Sequence, residues 1–191
     1  RGVGSAVADA LLAQRKTVAW QSEVEHATAA GIRLVTPVDA DYPPPLKTIH
    51  DPPLALYVRG ALAEDDRNSV AIVGSRRSTV YGQSVAGRVA AGLARCGLTV
   101  ICGLARGVET EAHQGALEAG GRTLAVIGSG MQRLYPPQHA ELADRIAERG
   151  CVLSEFPLER APDRTTFPMR NRVVSGLSRG VVVVEAGRGS G

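Results

Sequence analysis

The chain has 191 residues, 44% of them hydrophobic, and a formal net charge of +3. That length and apolar content suit one domain with a real core plus an appendage. No apolar stretch approaches the ~18 residues of a membrane helix, and no signal-peptide pattern is visible, which sets aside a membrane partner for this stretch of chain.

The first 31 residues read as helical. Val3, Val7, Ala10 and Leu11, and later Val24 and Ala27, recur at helical spacings, with Trp20 placed to pack two helices together. This segment (1–31) is read as a helical N-terminal appendage, and 32–191 as the main domain. Residues 32–37, IRLVTP, read as a strand. The stretch 39–62 carries five prolines and ends in the strand-like LALYVRG. Proline density of that kind suits an extended segment laid over a domain.

From residue 69 the pattern becomes regular. The apolar run 70–73 leads into Gly74-Ser75-Arg76-Arg77 and a helix over 82–97, with Val85, Val89, Leu93 and Ala86, Ala90, Ala94 on its apolar face. Strand 98–102 meets the turn Gly103-Leu104-Ala105-Arg106-Gly107 and a helix to about Ala119. Strand 123–127 leads to Gly128-Ser129-Gly130 and a helix over 138–150. Strand 151–155 precedes a loop rich in proline and charge, a helix beginning near Pro168, and a last strand, 180–186. Strands alternating with helices of 10–15 residues specify an α/β fold: an extended Rossmann-like, doubly wound, mostly parallel sheet with helices on both faces. The chain opens on Arg1 rather than Met and stops at Gly189-Ser190-Gly191 directly after an apolar strand, so truncation is expected.

The cysteines Cys96, Cys102 and Cys151 stand apart with no C-x-x-C, and read as buried thiols of a cytoplasmic protein. The four histidines lack metal-ligand spacing. Neither metal nor cofactor is expected. Only Lys16 and Lys47 among the basic residues are lysines; arginine, the remainder, is the side chain suited to bidentate phosphate contact and base stacking.

A dinucleotide site needs G-x-G-x-x-G at the first strand-to-helix turn and an acid at the end of the second strand. The turn here is G-S-R-R-S-T-V-Y-G and the second strand ends in Cys102-Gly103-Leu104, so both requirements fail. No G-x-x-x-x-G-K-[ST] loop is present either. What recurs instead is glycine followed by arginine at strand ends. The C-terminal strand ends of a parallel sheet share one edge, so Arg76, Arg106, Arg170 and Arg172 are expected to line one pocket or groove for an anion. For any one turn the plain alternative is a tight turn solvated by its arginine. Glu109 and His113, four apart on a helix, read as a hydrogen-bonded pair orienting the turn, or as an acid–base pair. Glu185, at the end of the last strand, could bind a ribose, act as an acid, or hold one of the arginines, the last being the reading adopted.

These residues resemble those of the DNA-processing protein A (DprA/Smf) family. The shared pieces are Tyr42-Pro43 through Leu56-Tyr57-Val58-Arg59-Gly60, then Val70 to Arg76, Gly103 to Gly107, Ala112-His113, Tyr135-Pro136 and Ser154-Glu155. They continue with Phe167-Pro168-x-Arg170-Asn171-Arg172, Ser175 to Ser178, and Val182 to Ala186 followed by Ser190-Gly191. Cys102 stands where the family usually has Ser. The resemblance implies sequence-independent binding of single-stranded DNA, loading of RecA recombinase onto the strand in natural transformation, homodimerisation, and no catalytic residues. It also implies that the N-terminal helices are the remnant of a sterile-alpha-motif-like domain. Carried over by position, Gly74, Ser75, Arg76, Gly103, Arg106, Gly107, Phe167, Arg170, Asn171 and Arg172 would contact DNA, with Phe167, or Phe167 and Tyr135, as the stacking platform. The alternative is a nucleotide-processing or nucleotide-sensing enzyme on a related Rossmann-like sheet, with Glu185 or Glu109 as its acid or base.

Overall fold

The structure, a computed structural model, describes residues 4–14 and 20–187. Val3 of the first helical pattern and the Ser190-Gly191 turn lie outside the described residues.

Helices α1 (Ser5–Gln14) and α2 (Trp20–Ala29) open the chain. Trp20 does not clamp them together: it is half exposed, and α1 buries no residue. What anchors α2 is polar. Glu23 Oε1 accepts from the Tyr57 hydroxyl at 2.8 Å and from Leu158 N at 2.7 Å, while Ala27 packs under Ile32, Tyr57 and Leu158.

The described residues form a sheet of seven strands in the order β1-β2-β6-β5-β4-β3-β7. They are β1 (Ile32–Val35), β2 (Leu56–Gly60), β3 (Ser69–Gly74), β4 (Thr99–Cys102), β5 (Thr123–Ile127), β6 (Cys151–Ser154) and β7 (Gly180–Val184). Strands β3 to β7 pair in parallel, and the hairpin β1-β2 adds to β6 antiparallel. The mixed α/β sheet therefore matches the expected class, with the antiparallel edge as the part that alternation alone did not specify.

Successive residues of each central strand point to opposite faces, and each face is covered. Ala71, Ile101, Leu124 and Val126 meet α6 (Thr166–Leu177) and the proline segment, whose Tyr42 and Leu46 are fully buried there. Ile72, Val100 and Cys102 meet α3 (Val80–Arg95) and α4 (Val108–Glu118), while Ala125, Ile127 and Val152 meet α5 (Ala140–Arg149). Cys102 and Cys151 are buried as expected; Cys96, just past α3, is exposed.

Because β3 to β6 run outward in one direction and α6 then crosses back to place β7 beside β3, the sheet has a switch point between β3 and β7. Turns at the C-terminal strand ends next to such a point are where open α/β sheets bind ligands.

Candidate nucleic-acid interface

The turn after β4 is built against the turn after β3. Gly107 has φ +79°, and a Cβ there would lie 2.5 Å from the Ser75 carbonyl oxygen, so glycine is required twice over. Val108 N donates to that same carbonyl at 3.3 Å. The first turn of α4 then fastens the loop. Glu109 Oε2 accepts from Ala105 N at 2.8 Å, and the Thr110 hydroxyl donates to Ala105 O at 2.8 Å. Arg106 is thereby held outward at a fixed place beside Arg76 and Arg77.

His113 is fully buried beneath this loop, 2.5 Å from Gly103 O through Nε2 and 2.7 Å from the Thr123 hydroxyl through Nδ1. Burial pushes its pKa down to about 4. The neutral ring therefore donates from Nε2 to Gly103 O, and its Nδ1 lies against the Thr123 hydroxyl, which also has Val100 O as an acceptor at 2.9 Å. Glu109 and His113 both orient the turn, but each by its own bonds; the expected bond between them is replaced by these separate partners.

The segment from Phe167 to Arg172 forms the first turns of α6, which starts at Thr166, close to the expected start near Pro168. Helical spacing separates its residues by role. Thr166, Arg170, Val173, Val174 and Leu177 form the buried stripe, so Arg170 is only 5% exposed and its Nη1 donates to Val126 O at 2.6 Å. The Arg170 guanidinium lies against Gly103, where a Cβ would come 1.7 Å from Nη1. Arg172 points elsewhere. It grips Glu155 with two nitrogens, at 2.7 and 2.5 Å, and Asp51 at 3.0 Å, tying α6 to the end of β6 and to the proline segment. These carboxylates raise the pKa of Arg172. Asn171 faces outward.

The strand-end turns enclose a cavity of about 220 Å³. Arg76, Arg77, Arg106 and Arg170 line it, together with the apolar walls Leu104, Ile127, Tyr135 and Phe167. The Arg76 guanidinium stands over the Phe167 ring, 4.7 Å from its centroid, and Tyr135 packs on Phe167 at 6.0 Å and 58°. Of the expected pocket arginines, three are brought together and Arg172 lies outside. Arg77, which sequence reasoning left uncommitted, is inside; its position next to Arg76 in a turn was the available signal. Arg76, Arg77 and Arg106 have no carboxylate within ion-pair distance among the described residues.

Glu185 holds no arginine among the described residues. It follows β7 with φ +51° and accepts from Thr79 N at 2.7 Å and from the Thr79 hydroxyl, closing the N-terminal end of α3. Those bonds lower its pKa. Among the described residues no group of His, Cys, Asp and Glu is arranged to hold a metal ion.

The model of the DNA recombination-mediator protein A family matches residues 33–191. Among curated relatives, protein Smf of Synechocystis is 38% identical over all of this chain and 49% of the relative. DNA processing protein A of Streptococcus pneumoniae, known from an X-ray structure, superposes with a TM-score of 0.79 at 39% identity, covering 83% of this chain and 56% of that one. That of Helicobacter pylori, whose structure is described as giving insight into its single-stranded DNA binding mode, superposes at 0.73 with 30% identity, covering 83% and 72%. The chain spans about half the length of the curated relatives it matches.

Proposed function

The chain belongs to the DNA recombination-mediator protein A family, and from that premise we propose that it binds single-stranded DNA along the strand-end edge and delivers a RecA-type recombinase to it. One observation carries the reading: three arginines free of carboxylates ring a cavity walled by aromatic side chains. Cations that track phosphates and rings that stack bases are what binding without sequence readout requires. Duplex DNA keeps its bases stacked, and a recess of about 220 Å³ reaches only a base that has left the stack.

Gly74, Ser75, Gly103 and Gly107 shape the two turns, Arg76, Arg106 and Arg77 meet phosphates at the rim, and Phe167 offers its ring. Arg170 forms the floor, Arg172 acts as a clamp behind the site, and Asn171 borders it from the outward side of α6. The family's description as a recombination mediator supports recombinase loading. Homodimerisation is part of the same reading. The setting is cytoplasmic. Among the described residues no helix is long and apolar enough to cross a membrane.

We read the chain as a binding protein and not as an enzyme. The rival nucleotide-processing reading needs Glu185 or Glu109 as a free acid, and both are occupied by backbone N–H groups. The test is a salt titration of binding to a labelled single strand and to the matching duplex. Tighter binding to the single strand, with log affinity falling linearly in log salt, is expected. Preference for the duplex, or turnover of mononucleotides lost in Glu185→Gln, would overturn the reading.

A further inference from the structure

Both ends of the turn that carries Arg76 and Arg77 are tied to one residue. At its start, Ser75 N donates to the Glu185 carbonyl oxygen at 2.7 Å. At its end, the Glu185 carboxylate accepts from Thr79 N at 2.7 Å and from the Thr79 hydroxyl. That hydroxyl in turn accepts from Gly82 N at 3.1 Å, so the tie runs on into α3. Glu185 stands 106 positions from Thr79 and reaches it because β7 lies parallel beside β3, with Gly74 opposite Val184.

The fit is particular to these residues. Glu185 has φ +51°, a backbone conformation that residues other than glycine rarely adopt and that persists only where the surroundings hold it. A Cβ on Gly82 would come 2.4 Å from the carboxylate carbon, so glycine there leaves the carboxylate its place. From the other side, Val108 N donates to Ser75 O at 3.3 Å. The turn is thus fixed from β7 and from α4, while Arg76 and Arg77 line the cavity with no carboxylate in ion-pair range among the described residues.

A carboxylate beside arginines that meet phosphate opposes the approach of an anion, so loss of its charge alone would tighten binding. Any help Glu185 gives must come through placement. Two cations held at fixed places give up less freedom when a strand arrives than two on a loose loop. Resting on the DNA-binding reading above, we propose that Glu185 is a positioning residue: it sets the turn 75–79 so that Arg76 and Arg77 stand ready for the phosphates of a single strand, without touching the strand itself.

The test uses two variants that remove the same charge and differ in reach. Glu185→Gln keeps the length needed to accept from Thr79 N. Glu185→Asn introduces a residue that tolerates positive φ but is one methylene too short. Binding to a labelled oligo(dT) is read by fluorescence anisotropy across a salt series. Glu185→Asn should bind about tenfold more weakly than Glu185→Gln, the change one charge-assisted contact makes. Its slope of log affinity against log salt should be smaller by about 0.7 to 1.4, the share of one or two phosphate contacts. With Arg76→Ala and Arg77→Ala both in place, the two variants should bind alike, because no arginine is left for the turn to place. Thr79→Ala against Thr79→Ser repeats the comparison from the turn itself, and decides the matter if Glu185→Asn does not fold: Ala should lose affinity and slope, and Ser should keep both. Equal affinity and slope within these pairs overturns the positioning role and leaves the DNA-binding reading standing. A difference that survives without the two arginines overturns it as well. No binding by the unaltered protein overturns the DNA-binding reading and this inference with it.

Discussion

The Arg76 guanidinium rests over the ring of Phe167, 4.7 Å from its centroid, so the turn after β3 and the first turn of α6 are joined across the mouth of the cavity. Cation and platform are different chemical functions, and they separate experimentally. Arg76→Ala should weaken binding to every single strand tested and reduce the slope of log affinity against log salt by about 0.7, the share of one phosphate contact on a single strand. Phe167→Leu should weaken binding with the slope unchanged, because stacking releases no counterions. Anisotropy titrations across salt concentrations read both quantities, and an unchanged slope in Arg76→Ala would count against a phosphate contact.

Arg106 and Arg172 should behave as opposites although both are arginines of the motif. Arg106→Ala removes an exposed cation that donates to Gln138 Oε1 at 3.3 Å, and should act on the salt slope as Arg76→Ala does, with unfolding unchanged. Arg172→Ala leaves the half-buried Glu155 carboxylate without its two-nitrogen partner, at a cost of about 1–3 kcal/mol. Denaturant unfolding should show that loss, while the salt slope of the folded variant stays as it was.

These two arginines also show what is legible in a chain and what is not. Gly-Arg turns after apolar strands identify a shared sheet edge, because parallel strands leave their C-terminal ends on one side; Arg76 and Arg106 are found that way. The buried state of Arg170 was also written in the sequence, since it falls at helical spacing with Thr166, Val173, Val174 and Leu177. The partners of Arg172 and Glu185 were not legible. Asp51 is 121 positions from Arg172 and Thr79 is 106 from Glu185, and only the folded sheet brings such pairs together. The antiparallel addition of β1 and β2 was hidden for the same reason: a short apolar run does not state its direction.

Glu185 should reveal itself through acid. Its pKa is lowered in the native protein by the Thr79 hydroxyl and N–H, so its contribution is present above the ordinary carboxylate value of 4.5 and disappears as pH falls through the lower native value. Glu185→Gln should therefore melt below the unaltered protein at neutral pH, and the gap should close in strong acid. Thermal melts across that range decide the matter. A gap independent of pH would mean that shape, and not charge, matters at the end of α3.

His113 titrates in a different window. The unfolded chain takes up a proton near the ordinary value of 6.5, whereas burial holds the native ring neutral until about 4. Protons therefore favour the unfolded state throughout that interval. Stability should be level above 6.5, fall by roughly 3 kcal/mol as pH drops to about 4, and level off again once both states are protonated. The affected group matters for the site, because the ring donates to Gly103 O and so supports the turn that carries Arg106. His113→Gln should be less stable at pH 8, having lost the fit between Gly103 and Thr123, yet its stability should be nearly flat across the interval in which the unaltered protein declines. Urea unfolding at a series of pH values distinguishes the two curves. A flat curve for the unaltered protein between pH 6.5 and 4 would show that the ring is protonated in place.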